Sequence, residues 1–543
     1  MTREELDLLN KFMGIELNPL LMTDGYKTSH HKMYPDGTTL VYSNFTPRNV
    51  NRMPLQAKHI VVFGTQYVMK YIADLYQKNF FSQPKEAVCG QAKAYLSAYL
   101  MCDYDVSHFE ALHDLGYLPI RVKSLKEGTI IGANVPFLTI CNTKKEFYWL
   151  PNFLETLISS LLWKPLHSAS MAFAYKQILL KNALQTDKNN IMAVNFQGHD
   201  FSFRGMQHPE SAISSGMGWL TSFWGTDTIP ALQAANYYYM AKNVGFSVPA
   251  SEHAVMTAYG KENEIDGFRR LMKQYPTGFL SVVSDSFDLW QVCTKYLSEL
   301  KEEILARDGR VVIRPDSGNP VDIICGNQII EKDGKKFIEI ETSRFPGYEM
   351  VEVTGDEPSS KGVVELLWEV FGGTVNEQGF KCLDPHIGCI YGDAITLDRL
   401  EQICERLRLK GFASTNVVLG VGSYSLGYAT RDNQGGAVKA TYVEIEMTAD
   451  VDMQCQGGPS LGEKFIVGRD IFKDPVTDSG LKKSAKGLLQ VYLNEDGIPT
   501  LKDCCTWEEE GKGLLETIFL DSHFVMGTDM QEVRDRIQLK AIA

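Results

Sequence analysis

The side chains best suited to handling phosphate and sugar are Arg204, Arg314, Asp227, Asp285, Asp316, Asp393 and His253. Arginine binds phosphate through a planar, two-pronged guanidinium. Carboxylates beside it suit ribose hydroxyls, or a magnesium ion carried in by a polyphosphate. A single aspartate after a strand is usually a helix N-cap, but capping does not account for two arginines and a histidine at equivalent places. Other residues sort less sharply. Phe201 reads either as a core aromatic or as a platform for a planar ring. Gly420-Val421-Gly422-Ser423 is either a tight strand-to-helix connection or a backbone cradle for phosphate. Ser425 stands where a dinucleotide GxGxxG needs its third glycine, and no GxxxxGK(S/T) occurs. His30, His31, His199 and His208 lack zinc-site spacing and read as structural or surface histidines. Tyr237-Tyr238-Tyr239 reads as the buried stripe of a helix, and Lys473, Lys482, Lys483 and Lys486 as a solvated loop.

The phosphate-type residues share a position relative to their elements. From about residue 191 onward, a short apolar run ends in Asp, Gly or Ser and a helix-like segment follows. The runs are 191–195, 219–224, 247–249, 280–283, 310–313, 387–391 and 416–419. Strands alternating with helices imply parallel pairing with crossovers. So many units in a row predict a closed barrel more than an open sheet, and a barrel carries its site at the C-terminal ends of its strands. Every polar cluster named above falls on that side. Residues 1–190 have a different texture, mixing helices with short β-like runs such as Thr39–Phe45 and Ile120–Val122.

Composition narrows the class. The chain has 543 residues, 44% of them hydrophobic, and 45 glycines, the profile of a globular protein with more than one substructure. No apolar run approaches membrane-spanning length, and the start lacks the pattern of a secretory signal. The net charge of −13 argues against general nucleic-acid binding. Eleven scattered cysteines without a CxxC pair read as reduced thiols of a cytoplasmic protein.

Long motifs in order carry a resemblance: LMTDGYKTSHHKMYP, HDFSFRG, GTDT, SVPASEH, SVVSDSFD, IRPDSGNP, YGD, LGVGS, ATRD and IFKDPVTDSG. With them the chain resembles the nicotinamide phosphoribosyltransferase family from Leu21 to about Gly487. The resemblance implies a type II phosphoribosyltransferase fold: an α/β barrel-like catalytic domain over 191–428, and a second α+β domain built from 1–190 and 429–543. It implies transfer of phosphoribosyl from phosphoribosyl pyrophosphate to nicotinamide in NAD salvage, giving nicotinamide mononucleotide. ATP would be a coupling substrate, Mg2+ would be held mainly through pyrophosphate without a dedicated protein metal site, and the enzyme would be a homodimer with shared sites.

Residue by residue, the resemblance implies that Phe201 stacks on the pyridine ring, with the partner subunit contributing Tyr26 to its other face. Asp227 receives the carboxamide N–H, and Ser247 and Ser281 join the substrate contacts. Arg204 and Arg314 hold phosphate oxygens, while Asp316, Gly392 and Asp393 address ribose. Gly422 and Ser423, with Arg431, Lys439 and Lys473 from across the dimer, bind the 5′-phosphate side. His253 is the residue phosphorylated by ATP, supported by Asp285; these two, with Arg314 and Asp316, form the catalytic set.

Relative to the shorter animal type, extra sequence lies at about 321–385 and 449–468. The first insertion predicts a hairpin, with strand-like runs around Asp333-Gly334. Two alternatives stand beside this reading: a nicotinate phosphoribosyltransferase, and a catalytically silent interaction protein of the same fold. Asp227 argues against the first, because its charge repels a second carboxylate. The intact set Arg204, Asp227, His253, Arg314 and Asp316 argues against the second.

Overall fold

A computed structural model describes residues 17–50, 52–53, 57–341, 347–392, 394–450, 460–473 and 485–541. Asp393, Lys482 and Lys483 lie outside the described residues. The chain forms two compact units. The first comprises Met1–His167, Tyr237–Met240 and Thr430–Arg536; the second comprises Ser168–Asn236, Ala241–Ala429 and Ile537–Ala543.

The first unit is α+β and draws on both chain ends. Its seven-stranded sheet runs in the order Lys464–Asp470, Ala437–Thr448, Thr38–Thr46, Leu138–Asn142, Ile120–Ser124, Glu516–Leu520 and His523–Phe524. Every neighbouring pair is antiparallel. Alternation along Thr38–Thr46 sends successive side chains to opposite faces. Tyr42 joins Cys141, Leu488, Leu489 and Cys505, whereas Val41 joins Val443 and Ile445. The tyrosine run is not a uniformly buried stripe. Only Tyr239 is fully buried, stacked on Phe63 at 5.0 Å, while Tyr237 is exposed and donates to Asp74 at 3.0 Å. Three consecutive helical positions span about 200°, so they cannot all face one core.

The second unit is the barrel. Its strands are β1 (Gly198–Asp200), β2 (Gly225–Thr226), β3 (Leu280–Val283), β4 (Val311–Arg314), β5 (Ile387–Tyr391) and β6 (Val417–Val421). They form one parallel sheet in the order β2-β1-β6-β5-β4-β3. The two edges of this half-barrel are bridged by the extended segment 246–251. The amide of Thr226 donates to Phe246 O at 3.0 Å on one side. On the other, Ser281 N donates to Pro249 O at 2.9 Å and Ser251 N donates to Ser281 O at 3.0 Å. Pro249 has no N–H to give, which keeps this wall irregular. β3 and β5 are wholly buried, as strands covered on both faces are; β5 is a continuous apolar run, and β3 is apolar but for Ser281.

Three runs expected as strands are not, 247–249 being the extended, irregular part of the bridging segment 246–251. Residues 191–195 lie in a 3-10 turn and the short helix Val194–Gln197, and 219–224 carry the end of the helix Pro209–Trp219 and a turn. The strands follow them, at β1 and β2. An unbroken apolar run has no period with which to tell strand from buried helix. The insertion does form the expected hairpin: Ile330–Lys332 pairs with Lys335–Glu341, and Asp333 and Gly334 turn at φ 53° and 74°. A third strand, Tyr348–Val353, extends that sheet. The segment 451–459 lies outside the described residues, and Lys464–Asp470 forms an edge of the first unit's sheet. Among the described residues no helix is long and apolar enough to cross a membrane.

Candidate active site

The C-terminal ends of the barrel strands gather one group of side chains. Residues 199 and 201 point to the same side of their chain by strand alternation, and their rings lie 4.5 Å apart. Phe201 continues the ladder, its amide donating to Val421 O at 3.0 Å. Its ring lies close over β6: a Cβ on Gly420 would sit 2.6 Å from Phe201 Cδ2. The Arg314 guanidinium carbon lies 5.9 Å from the centre of the Phe201 ring, a cation–π approach.

Asp227 follows β2, its amide anchored on Asp200 O at 2.9 Å. Its Oδ1 lies 2.8 Å from His199 Nε2 and accepts from Ser247 Oγ at 2.6 Å. Partial burial favours the neutral acid, but hydrogen bonds from His199 and Ser247 outweigh it and hold the carboxyl below its usual range. Asp227 is therefore ionised near neutrality. The sequence predicts His199 as a structural or surface histidine; it is instead part of this cluster. The alternation in His199-Asp200-Phe201 was the available signal, since it puts the imidazole on the face of the aromatic platform.

Arg314 closes β4. Its Nε is buried without a partner, and its Nη2 lies 3.9 Å from Asp316 Oδ2. Gly392 packs against both: a Cβ there would meet Asp316 Oδ1 at 2.0 Å and Arg314 Nε at 3.3 Å. Asp285, after β3, is only 5% exposed. Its Oδ2 accepts from Asp316 N, Ser317 N and Ser317 Oγ at 2.8, 2.7 and 2.6 Å, and its Oδ1 lies 3.1 Å from His253 Nε2. Burial raises the carboxyl's pKa, yet these donors together carry it below its usual range. Ser281 is buried on β3, its hydroxyl without a partner.

Gly422 caps the short helix Ser423–Gly427, and Arg204 is exposed on the turn Phe203–Gly205. These two pieces touch, since a Cβ on Gly205 would lie 2.0 Å from Ser423 Oγ. The remaining candidates belong to the first unit. Tyr26 is 63% exposed, with the Lys27 ammonium 5.2 Å from its ring. Lys27 pairs with Glu155, and Lys439 Nζ lies 3.9 Å from the same carboxylate. Arg431 pairs with Asp432 at 3.1 Å, and Lys473 is exposed. Of the other histidines, His208 caps the helix Pro209–Trp219 and His31 stacks on His108 at 3.8 Å.

A pocket of about 480 Å³ opens beside this cluster. His199, Phe201, Asp227, Ser247, Ser281 and Arg314 line one end; Phe196, Phe279, Arg310 and Asn416, which precede strands, line the other. The cavity thus follows the barrel axis, mostly apolar with a few convergent polar groups, as sites for planar organic ligands are. Among the described residues no group of three or more His, Cys, Asp or Glu is arranged to hold a metal.

Comparison with known proteins agrees with this architecture. Residues 196–462 match the nicotinate phosphoribosyltransferase (NAPRTase) family, and residues 18–110 match the nicotinamide phosphoribosyltransferase N-terminal domain. The chain is 43% identical to a nicotinamide phosphoribosyltransferase of Acinetobacter baylyi, over 97% of this chain and 98% of that protein. It is 31% identical to one of Xanthomonas campestris, over 95% and 97%. A crystal structure of nicotinate-nucleotide pyrophosphorylase from Pyrococcus furiosus shares the fold at 14% identity and a TM-score of 0.52, over 97% of this chain and 95% of that one. The chain belongs to the nicotinamide phosphoribosyltransferase family and is a pentosyltransferase.

Proposed function

We propose that this enzyme transfers the phosphoribosyl group of phosphoribosyl pyrophosphate to nicotinamide, giving nicotinamide mononucleotide and pyrophosphate in NAD salvage. The observation that carries the reading is an ionised Asp227 beside a flat aromatic platform, both lining a pocket of about 480 Å³. Phe201 supports a pyridine ring by stacking. Asp227 accepts a carboxamide N–H, and the buried Arg314 Nε is a donor in want of an acceptor.

In the reaction the pyridine nitrogen forms its bond to C1 of ribose as the C1–O bond to pyrophosphate breaks, through an oxocarbenium-like state. No protein nucleophile is required. The residues act by alignment and by stabilising charge on the leaving group. Arg204 and Arg314 hold phosphate oxygens, Asp316 and Gly392 address ribose together with Asp393, and Gly422 and Ser423 take the 5′-phosphate side. Asp285 is saturated by its donors, so Asp316, 3.9 Å from Arg314, would be the carboxylate to help hold a magnesium ion brought in with the pyrophosphate. What magnesium supplies when bound is neutralisation of the departing charge.

His253 is 46% exposed beside the anchored Asp285. In this reading it accepts a phosphoryl group from ATP and couples hydrolysis to the transfer. Tyr26, Arg431, Lys439 and Lys473 complete a partner's site in a homodimer. The test is direct: incubate enzyme, phosphoribosyl pyrophosphate and magnesium with nicotinamide or nicotinate, and identify the mononucleotide by mass. Product from nicotinamide in preference to nicotinate supports the reading. Preference for nicotinate would favour the related alternative, and product from neither would refute transfer.

A further inference from the structure

We propose that His199 is a positioning residue for base selection, donating from Nε2 to lock the carboxylate of Asp227 so that only Oδ2 faces the substrate. The inference rests on the transfer reaction proposed above. Both contacts to the Asp227 side chain converge on one oxygen: His199 Nε2 at 2.8 Å and Ser247 Oγ at 2.6 Å, each to Oδ1. Among the described residues Oδ2 has no hydrogen-bonding partner. A carboxylate held by a single donor still pivots about its last torsion, whose well is broad. Two donors from different elements, β1 and the 246–251 segment, fix that torsion.

The imidazole is itself held. It is 10% exposed, with Phe201 at 4.5 Å on one side. On another side Gly225 leaves room for it, since a Cβ there would lie 2.8 Å from His199 Nδ1. Asp227 is ionised and offers only lone pairs, so a 2.8 Å contact requires the proton on Nε2. The assignment also explains how the site tells amide from acid. The hydrogens of His199 Nε2 and Ser247 Oγ are both engaged on Oδ1, so neither is offered to an incoming carboxylate. What the pocket presents there is an acceptor, which suits a carboxamide NH₂ and repels a nicotinate.

The experiment compares His199→Gln, His199→Asn and His199→Phe with wild type, reading kcat/KM for nicotinamide and nicotinate and KM for phosphoribosyl pyrophosphate. Glutamine places an N–H near the original Nε2, asparagine is too short to reach, and phenylalanine keeps the ring without a donor. Loss of the donor should lower the nicotinamide-to-nicotinate ratio about 10- to 100-fold in the Asn and Phe variants, the worth of one charge-assisted hydrogen bond. The Gln variant should restore the ratio to within about threefold of wild type, and KM for phosphoribosyl pyrophosphate should stay near the wild-type value throughout. A ratio unchanged in all three variants overturns the proposal. So does an equal fall in all three, which would assign the effect to ring packing and not to the donor. Wild type lacking nicotinamide transfer would refute the proposed function instead, so the two failures are distinguishable. If His199→Phe does not fold, the Gln and Asn pair decides the question alone.

Discussion

His253 Nε2 lies 3.1 Å from Asp285 Oδ1, while the other oxygen of that carboxylate already accepts three hydrogen bonds. An anion so anchored cannot swing toward solvent, so it fixes the imidazole and offers its charge to a positive group on it. The histidine itself is 46% exposed and open to a reagent. A phosphohistidine at this position would be oriented by Asp285 through the ring nitrogen that does not carry the phosphoryl group.

His253→Ala should therefore lose ATP hydrolysis and all benefit of added ATP. Transfer without ATP should persist, because the pyridine nitrogen is the nucleophile toward ribose. Rates of mononucleotide formation with and without ATP, alongside phosphate release, check this. Full ATP stimulation in the variant would remove the phosphohistidine from the mechanism.

Glu264 stands near this pair and carries a pH dependence of stability. It is 1% exposed, and its Oε1 has no partner. Burial, reinforced by the charges of Asp285 and Asp288, pushes its carboxyl up to about 7 from an ordinary 4.5. Between those values the folded chain holds a proton that the unfolded chain has released. Stability is thus lost as pH rises through that window, by an amount of up to about 3 kcal/mol. Glu264→Gln should flatten this decline. Thermal melts of both proteins from pH 5 to 8 are the measurement, and parallel pH profiles would contradict it.

Asp227→Ser should lose efficiency with nicotinamide and gain, relatively, with nicotinate. Like charges a few ångströms apart in a partly dry pocket cost on the order of a few kcal/mol, and each ~1.4 kcal/mol is tenfold. Selectivity should fall by about a hundredfold. Phe201 stacking is nearly blind to the substituent and cannot replace it. The ratio of kcat/KM values at one near-neutral pH decides; an unchanged ratio places selectivity elsewhere.

The sequence made the barrel legible where strands are buried on both faces. Ile387–Tyr391 is a continuous apolar run and Leu280–Val283 is apolar but for Ser281; both are followed by polar residues, and both are strands with those same bounds. β1 and β2 escaped because they are three and two residues long, too short to show a period, and of Gly, His, Asp and Thr only Thr226 favours a strand. Their neighbours impose the pairing. The same displacement hid His199: a strand expected at 191–195 ends before residue 199, so the alternation in His199-Asp200-Phe201 carries no weight until β1 is placed. Asp227 was legible as a charge, but its locking by His199 and Ser247 joins residues 28 and 20 positions away, contacts that no local pattern encodes.

Gly420 tests how closely the Phe201 platform is built against β6. A Cβ there would meet Phe201 Cδ2 at 2.6 Å, Tyr391 O at 2.7 Å and Gly392 O at 2.8 Å. Two of these are backbone oxygens that a moved ring does not relieve, so both the ring and the adjoining backbone must shift. Gly420→Ala should raise KM for nicotinamide at least about tenfold and destabilise the fold by about 1–3 kcal/mol. Kinetics and a denaturant titration measure the two effects. Wild-type KM in a folded variant would mean that the ring position is not critical.

The last prediction concerns subunits. Tyr26 and Lys439 belong to a compact unit separate from Arg314, Phe201 and Asp227. In the proposed homodimer each barrel is completed by the other chain's Tyr26. Tyr26→Ala then damages the partner's site, while Arg314→Ala damages the chain's own. Each homodimer should have little activity, since both of its sites lack one group. In a mixed dimer the barrel of the Tyr26→Ala chain keeps Arg314 and receives an intact Tyr26 from its partner, whereas the other site is doubly damaged. Random exchange makes about half the dimers mixed, each with one sound site of two, so about a quarter of the wild-type rate should return. Sites completed within one chain would show no recovery, because neither variant chain then holds a full set. Subunit exchange is verified by native mass spectrometry of differently tagged chains, and kcat is read on the same samples. No recovery with mixed dimers present rules out the shared site.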